Sequence, residues 1–450
     1  TGVLSIGFLI TLSFLDQDIK GAIKNHSLVK KTRLFISAWL LVSALYVIVQ
    51  VSYLLDQPLA ASFDLTVIRS YLTQTSLGKA YLIQIIGILI LLLIPLRRLL
   101  GSYISLLIAL IAIIAPVFQS HGSSSGNHGL AIGALIIHVI ALSFWVGGLF
   151  GLTQLSKQQK LIALPRFSEI ALWSAITVVI SGAATAWTRL DSLQAWQSKY
   201  GVITLVKISL AFTLVGFGAL HRRWIIKSDY PSVFRLITAE IGVMFTTVFV
   251  GSWLSTVNPP EREIISSPAL LVTGIEMPAP PTLSRVLLGY EADGLMLGLL
   301  IFLVALYIKG VVILTKRGDK WPVGRTVAFA LGISAVDFAT SGGLGLYSHF
   351  AFANHMMAHM VLGMIAPIGI VLGAPITLAL RTLPLGRNQQ ESGIRGIFIE
   401  LLHSKLSKFY TNPVVALAIF DGSLFALYFT PLFGNIMQGH SGHFFMSLHF

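Results

Sequence analysis

The chain has 450 residues, of which 55% are hydrophobic and only 11% are charged, and its mean hydropathy is +0.82. Soluble globular domains carry about 25% charged residues, so this composition excludes an ordinary soluble domain. The 31 Lys and Arg residues outnumber the 18 Asp and Glu residues, which is typical of loops that orient a membrane protein and does not indicate nucleic-acid binding. The chain has no cysteine, which excludes disulfides, thiolate metal sites and cysteine nucleophiles and leaves His and Met for soft-metal chemistry.

Apolar runs recur along the whole chain and predict an all-α, polytopic transmembrane helix bundle. We expect about thirteen spans in two halves, eight in the first and at least five in the second. The runs cover residues 1–15, 34–55, 80–96, 101–118, 129–152, 168–187, 202–220, 236–257, 290–308, 325–341, 354–380, 411–430 and 438–450. Because Thr1 and Phe450 lie inside apolar runs, we expect the chain to be truncated at both ends.

Lys and Arg concentrate in alternate loops between these spans, which predicts that these loops are cytoplasmic and that the N-terminus is outside. The opposite loops contain only Arg69, Lys79, Arg189, Lys199, Arg262 and Arg285. The longest outside loop is rich in proline, which lacks the backbone donor that a helix needs. We therefore expect an extended extracytoplasmic connector at 258–289, between a first membrane domain at 1–257 and a second at 290–450.

Most histidines fall on the predicted outside face or in the outer part of a span. Three of the twelve lie in predicted cytoplasmic loops, where we expect solvated side chains: His26, His221 and His403. The other nine are His121, His128, His138, His349, His355, His359, His440, His443 and His449. Methionines accompany the second-half histidines, and imidazole with thioether but no thiolate is a ligand set suited to copper, Cu(I) in particular.

The spacing in the second half refines this metal hypothesis. His355 and His359 share one helix face a turn apart, and four residues is a spacing at which two side chains reach one ion. The expected copper ligands of this half are His355, Met356, His359, Met360, His443 and His449. The alternative is a set of polar residues that bridge helices by hydrogen bonds.

In the first half, His121 and His128 flank a Ser- and Gly-rich outside loop. His138 follows ten residues after His128, which is about 15 Å along a helix, so these two cannot bind the same ion. We expect His121 and His128 to capture a metal ion and His138 to relay it. The alternative for His138 is a buried, hydrogen-bonded histidine.

Four further ionisable residues lie inside predicted spans, where charge is costly and suggests a pathway or an internal ion pair. We do not expect Lys207 to pair with Glu240, because their depths differ. Asp337 lies near the outer end of its span, where it is in a position to join the His and Met site. Asp421 lies in the middle of its span, and we expect it to bridge helices or handle protons.

The chain contains no H-E-x-x-H, P-loop or G-x-S-x-G motif, so we expect a protein that is not an enzyme. Two other classes stay open. One is a b-type electron carrier that uses histidines of different spans as axial haem ligands. The other is a scaffold in which the polar groups only bridge helices.

Two groups of motifs carry a resemblance to known families. The first half resembles the copper resistance D (CopD) family through Ser120-His121, His128, His138, Trp145-Val-Gly147-Gly148-Leu149, Arg166-Phe167-Ser168, Ser181-Gly182, Tyr200-Gly201 with Lys207, and His221-Arg222-Arg223. The second half resembles the CtaG family of cytochrome c oxidase assembly proteins through Gly318-Asp319-Lys-Trp321-Pro322 and Gly324-Arg325, His355-Met356, His359-Met360, Pro367, Leu372-Gly373-Ala374-Pro375, Leu380-Arg381, Tyr428-Phe-Thr-Pro431-Leu-Phe433, Gly442-His443, Met446 and His449-Phe450. A tryptophan that this family carries ahead of Asp293 is replaced by Tyr290.

The order of the two families is similar to that of the bifunctional fusions of actinobacteria. The resemblance implies copper uptake or transport in the first half and copper delivery to assembling cytochrome c oxidase in the second. It also implies a location in the bacterial plasma membrane, with oxidase subunits and an extracytoplasmic copper chaperone as partners besides the lipid bilayer.

Overall fold

The computed structural model describes residues 1–15, 26–97, 99–119, 128–190, 192–226, 230–260, 267–273, 275–383, 394–437 and 440–449. These residues are almost entirely helical, and their one β contact is an isolated antiparallel bridge between Tyr290 and Gly342. The chain divides into two compact units, one made of Thr1–Ser125 with Ala134–Glu263 and the other of Gly126–Gly133 with Ile264–Phe450. The all-α class predicted from the apolar runs is confirmed.

Eleven helices of the described residues precede the Pro-rich segment. They are α1 (Gly2–Ile10), α2 (His26–Leu55), α3 (Leu65–Gln74), α4 (Ser76–Leu93), α5 (Leu99–Ile114), α6 (His128–Leu142), α7 (Gly148–Thr153), α8 (Lys157–Arg189), α9 (Leu193–Gln197), α10 (Lys199–Ile226) and α11 (Tyr230–Leu254). Short polar side chains cap several of them: Thr75 accepts from the backbone of Gly78 at the start of α4, and Ser156 and Gln159 form a capping box at the start of α8. Such caps satisfy backbone donors that have no partner within the helix.

The remaining described helices begin in the Pro-rich segment. They are α12 (Pro268–Thr273), α13 (Leu283–Leu288), α14 (Gly294–Lys316), α15 (Val323–Thr340), α16 (Gly343–Ser348), α17 (Phe352–Met360), α18 (Ala366–Leu372), α19 (Pro375–Thr382), α20 (Ile394–Leu402), α21 (Lys405–Tyr410), α22 (Pro413–Tyr428), α23 (Leu432–Met437) and α24 (His440–His449). Asp293 caps α14 by accepting from the backbone N–H groups of Leu295 and Met296.

Ten helices in the described part of the chain are long and apolar enough to cross a membrane. Each covers one of the predicted spans between residues 34 and 380. Two shorter apolar helices, Gly2–Leu15 and Pro413–Tyr428, correspond to the first and twelfth predicted spans. The last predicted span contains α24, which has ten residues. The chain is therefore a multi-pass helical membrane protein.

The expected extended course of the connector is wrong at two places. Residues 268–273 and 283–288 form the short helices α12 and α13. Pro268 is the first residue of its helix, where a missing backbone N–H costs nothing. Thr282 precedes the second helix and accepts a hydrogen bond from the backbone of Arg285, so local capping outweighs the nearby prolines.

Within the described ranges, π-helical turns interrupt the helices at Thr11–Leu15, Ser143–Gly147 and Val361–Ile365. Such turns are rare and frequently occur at functional sites. The second contains Trp145, and it brings Gly147 against the backbone of α1. A Cβ atom on Gly147 would collide with the carbonyl oxygen of Val3, so the glycine allows a close approach of the two helical segments.

In the second unit, Trp321 links the helices that surround it. Its indole N–H donates to the Tyr307 hydroxyl at 3.1 Å, and that hydroxyl donates to the Gly373 carbonyl at 2.9 Å. The guanidinium groups of Arg325 and Arg381 lie 4.9 and 5.9 Å from the Trp321 ring centroid. This part of the CtaG-like motif therefore acts through cation–π and hydrogen-bond contacts that hold α14, α15 and α19 together.

Candidate metal centre

His355 and His359 form a buried pair on α17. Their Nε2 atoms lie 2.9 Å apart, and their rings are 4.5 Å apart at 83°. Each residue is only 3% exposed. Two nitrogens at this separation can both bind one ion at about 2.0–2.1 Å, with an angle of about 90° at the metal. The one-turn spacing thus brings the two side chains together as predicted.

Backbone carbonyls hold the rings of this region in place. The carbonyl of Ser348 accepts a hydrogen bond from the ring of His355, and because Nε2 faces His359, the donor is Nδ1. A proton fixed on Nδ1 leaves the Nε2 lone pair of His355 to accept a hydrogen bond from the Nε2–H group of His359. Both Nε2 atoms can bind one metal ion once that shared proton has left, with the Ser348 carbonyl orienting the first ring as outer partners orient metal-binding histidines. His349 lies nearby with Nδ1 3.0 Å from the Gly345 carbonyl, and burial lowers its pKa.

Aromatic side chains enclose the His355–His359 pair. The Tyr428 ring centroid lies 6.2 Å from the centroids of both imidazoles. Phe433 lies 5.2 Å from His355, and Phe352 lies 6.4 Å from it in a stacked arrangement. The Tyr428 hydroxyl is buried and has no hydrogen-bond partner among the residues that the structure describes. The pair therefore has largely apolar surroundings that also contain the Tyr428 hydroxyl.

The methionines predicted as ligands lie on the same helix as the histidine pair. Met356 is half-buried next to His355, whereas Met360 is 38% exposed. At 100° per residue, each methionine follows its histidine around the helix rather than sharing its face. Met360 as a ligand stays a prediction, and its exposure means that it needs a change of rotamer to reach the pair.

Helix α24 contributes His449 to the surroundings of the pair. His449 is exposed and lies within electrostatic range of His359. The side chain of His443 lies outside the described residues. Among the residues that the structure does describe, no three His, Asp or Glu side chains are grouped so that they could hold one ion. The described part of the site is thus a two-nitrogen centre.

His138 in the first unit contacts α8. Its Nδ1 lies 3.1 Å from both the Val178 carbonyl oxygen and the Ser181 hydroxyl oxygen. Because a carbonyl only accepts, Nδ1 carries the proton and Nε2 keeps its lone pair. This geometry fits the hydrogen-bonded alternative and also leaves one nitrogen for a metal. His121 lies outside the described residues, and His128 begins α6 but its side chain is not described.

Of the other ionisable residues, Glu240 has a partner that the sequence does not reveal. Its Oε2 lies 2.9 Å from His221 Nδ1, and the side chains are 3% and 12% exposed. The expectation of a solvated loop histidine at His221 is wrong, because α10 continues to Ile226 and buries the imidazole. His403 is exposed as expected. Lys207 approaches α11 elsewhere along that helix, with its Nζ atom 3.5 Å from the position that a Cβ atom on Gly251 would take.

The two aspartates of the second unit have different surroundings. Asp337 accepts a hydrogen bond from the Tyr290 hydroxyl at 3.3 Å. Asp421 is exposed on α22, and its role in bridging helices or handling protons stays a prediction. Tyr290 thus supplies a hydroxyl to the C-terminal end of α15.

Three family models match the chain in sequence order. Residues 3–131 match the copper resistance protein D-like N-terminal domain, residues 161–254 match copper resistance protein D, and residues 305–450 match the cytochrome c oxidase caa3 assembly factor CtaG. Together with the helical bundle, these matches indicate a multi-pass membrane protein with a copper-related role. The matched regions stand in one chain in the order of a CopD/CtaG fusion.

Curated relatives come from mycobacteria. Uncharacterized proteins of Mycobacterium bovis and Mycobacterium tuberculosis are each 29% identical over 321 residues, which is 63% of this chain and 48% of theirs. An uncharacterized protein of Mycobacterium leprae is 40% identical over 177 residues, 39% of this chain and 27% of that protein. The matched region thus spans about half the length of the first relatives or less. No solved structure matches the chain.

Proposed function

We propose that this protein handles copper in the bacterial plasma membrane. The first half takes up copper from the outside and moves it into the membrane domain. The second half binds copper, as Cu(I), and supplies it to cytochrome c oxidase during assembly. The family models support a copper-related membrane role, because two are named for copper resistance and the third for assembly of a cytochrome c oxidase.

The buried His355–His359 pair is the observation that carries the proposal for the second half. Two neutral imidazole nitrogens in an apolar, cysteine-free pocket favour a soft, monovalent metal ion over a hard divalent one. A monovalent ion also brings less charge into a pocket that offers no described carboxylate. Met356, Met360, His443 and His449 are the further donors that would complete the coordination of Cu(I).

The support for the first half is His138. The hydrogen bond to the Val178 carbonyl fixes its tautomer, and the free Nε2 lies about 15 Å along α6 from His128. In the proposal His121 and His128 capture copper at the surface, and His138 receives it within the membrane. An extracytoplasmic copper chaperone is the proposed donor, and oxidase subunits are the proposed acceptor. The protein acts as a carrier and catalyses no reaction.

Cu(I) titration of the purified full chain in detergent, under anaerobic conditions, tests the second-half proposal. The variant His355→Ala/His359→Ala is expected to lose one Cu(I) site. His403→Ala is the matched control, because it removes an exposed imidazole, and it is expected to bind as the wild type does. Equal Cu(I) stoichiometry and affinity in all three proteins would contradict the proposal.

An absorption spectrum of the same preparations separates copper handling from a haem carrier. Axial haem ligands approach the iron from opposite faces of the macrocycle, whereas the Nε2 atoms of His355 and His359 are 2.9 Å apart on one helix, too close for an iron between them in that geometry. We expect no Soret band. A Soret band that disappears in His138→Ala would instead assign haem to the first half.

A further inference from the structure

The contact between His221 and Glu240 forms a second polar centre, in the first unit. His221 lies near the end of α10 and Glu240 lies in α11, and these two helices pack against each other. The atoms in contact are His221 Nδ1 and Glu240 Oε2, 2.9 Å apart. No motif in the sequence joins these residues, and neither belongs to the copper ligands proposed above.

The pair lies at the predicted cytoplasmic end of its helices. His221 is followed by the exposed Arg222 and Arg223, which mark this end by the positive-inside rule. Glu240 lies four residues, or about 6 Å, into the membrane-crossing part of α11 that begins at Leu236. A carboxylate at such a position is costly unless it is paired, so the pair has a functional role by default.

Apolar side chains surround the pair along α11. Ile237 is 7% exposed and Met244 is 1% exposed, and both lie within one turn of Glu240 on the same buried stripe. Thr247 continues the stripe towards the outside. Little water reaches such a position, so any proton that the pair gains or loses changes the charge of a poorly solvated site.

The free atom of the pair is His221 Nε2. It is buried and has no hydrogen-bond partner among the described residues. Glu240 Oε2 lies 2.9 Å from Nδ1 at ion-pair distance and, like Nε2, makes no hydrogen bond among the described residues. A proton on Nδ1 faces this carboxylate, and the Nε2 lone pair is left to accept another proton. With one ring proton the pair carries one net negative charge, and with two it is neutral. A proton therefore binds and leaves at Nε2 without any bond between heavy atoms changing.

The neighbouring helices carry several other charged residues. On α11, Glu240 is the only charged residue between 236 and 254, and Arg235 precedes this stretch. Helix α10 adds Lys199, Lys207 and the exposed arginines 222 and 223, and α9 adds no charge. Helix α8 adds Lys157, Lys160, Arg166, Glu169 and Arg189, of which Glu169 is exposed and Arg189 donates to the Tyr200 hydroxyl. Glu240 is thus the one buried carboxylate described on these four helices.

We propose that His221 and Glu240 form a proton-binding pair that exchanges one proton for each Cu(I) passing through the first half. This coupling rests on the proposed copper function. Loss of the proton from Nε2 leaves a negative charge that attracts the arriving monovalent ion, with the Met244 thioether one turn farther out. Return of a proton neutralises the pair and releases the ion, so one positive charge replaces another and nothing is oxidised or reduced.

A copper-free measurement tests the pair itself. Infrared difference spectra of the full chain in liposomes, recorded after a pH jump, are expected to show imidazole and carboxylate bands that are lost in Glu240→Gln and in His221→Gln. Glu169→Gln removes an exposed carboxylate of α8 and is expected to keep these bands. Glu240→Asp retains a carboxylate and guards against simple misfolding. Identical spectra in the wild type and both Gln variants would overturn the proposal.

Copper flux then tests the coupling. In liposomes with an internal pH dye, a Cu(I) gradient is expected to drive a proton signal in the wild type and in Glu169→Gln, and no signal in Glu240→Gln. Copper uptake with an unchanged proton signal in Glu240→Gln would overturn the coupling. If wild-type liposomes take up no copper, the transport proposal fails, while the infrared result still decides on the pair. If His221→Gln binds one Cu(I) ion fewer than the wild type, His221 belongs to a metal site, and this result also overturns the proton proposal.

Discussion

The Nε2 atoms of His355 and His359 point at each other across 2.9 Å, one turn apart on a helix that ends in a π-helical turn. Helical spacing sets the distance between the residues, and the Ser348 carbonyl sets the orientation of the first ring. Their hydrogen bond holds both rings close together before any metal arrives, and its proton must leave before both nitrogens bind one ion. Such preorganisation reduces the cost of ordering ligands on binding.

The neighbouring methionines offer a matched test of the remaining ligands. Met356 is half-buried beside His355, whereas Met357 is 57% exposed. We expect Met356→Ala to lower Cu(I) affinity by about tenfold or more, since even outer partners of metal ligands contribute 10–100-fold. Met357→Ala is expected to bind as the wild type does. Competition titration against a Cu(I) chelator gives both affinities, and an equal loss in the two variants would remove Met356 from the ligand set.

The Tyr428 hydroxyl predicts separate effects on stability and on binding. A buried hydroxyl without a partner costs about 1–3 kcal/mol, so Tyr428→Phe is expected to raise the unfolding free energy of the copper-free protein by up to that amount. If this hydroxyl serves the bound ion, the same variant weakens Cu(I) binding. Thermal unfolding in detergent with and without Cu(I) separates the effect on stability from the effect on Cu(I) binding. A Tm that falls in the copper-free variant would show that the hydroxyl has a structural partner.

The sequence predicts those features that depend on local periodicity. Apolar runs locate the membrane helices, and the four-residue spacing of His355 and His359 places both imidazoles on one face of α17. Contacts between helices have no such signal. The His221–Glu240 pair joins residues nineteen positions apart on two helices, and it depends on α10 continuing beyond the apolar run. The exposure of Asp421 on α22 likewise follows from the rotation of that helix, which its nearly uniform apolar sequence does not specify.

Asp293 gives a pH dependence whose sign follows from its surroundings. Burial raises the pKa of this carboxyl, against the backbone N–H groups of Met296 and Leu295, which lower it. The folded state therefore holds the proton to a higher pH than the unfolded state does. The contribution of Asp293 to the unfolding free energy is greatest at acidic pH and is lost as pH rises from the unfolded pKa through the folded pKa.

Asp293→Asn removes this titration but retains a capping oxygen for α14. We expect the unfolding free energy of the variant to fall less steeply with pH than that of the wild type above the ordinary pKa of aspartate. Denaturant titrations in detergent across the acidic to neutral range measure the two slopes. Asp319→Asn changes a half-exposed carboxylate and is the control. If the unfolding free energy of Asp293→Asn falls with pH as steeply as that of the wild type, the assignment of this pH dependence to Asp293 is contradicted.

Gly147 allows the closest backbone approach between α1 and the π-helical turn after α6. A Cβ atom there would meet the Val3 carbonyl and would lie 3.0 Å from the Gly7 Cα atom. These are backbone atoms that a rotamer change cannot move, so Gly147→Ala is expected to destabilise the first unit by about 1–3 kcal/mol or more. The effect should appear as a lower Tm of the purified chain.

Gly216 is the matched control for Gly147, because it lies within α10 and a Cβ atom on it would meet nothing within 4 Å. Alanine costs less backbone entropy than glycine in a helix, so Gly216→Ala is expected to stabilise by about 0.5–1 kcal/mol. The two substitutions add the same methyl group, and opposite signs in thermal unfolding would show that packing against α1 determines the effect. If both variants are equally stable, the approach of Gly7 and Gly147 does not contribute to the fold as described.

Because His138 lies on α6, directly before this turn, a loosened contact should also lower copper uptake in Gly147→Ala and leave it unchanged in Gly216→Ala.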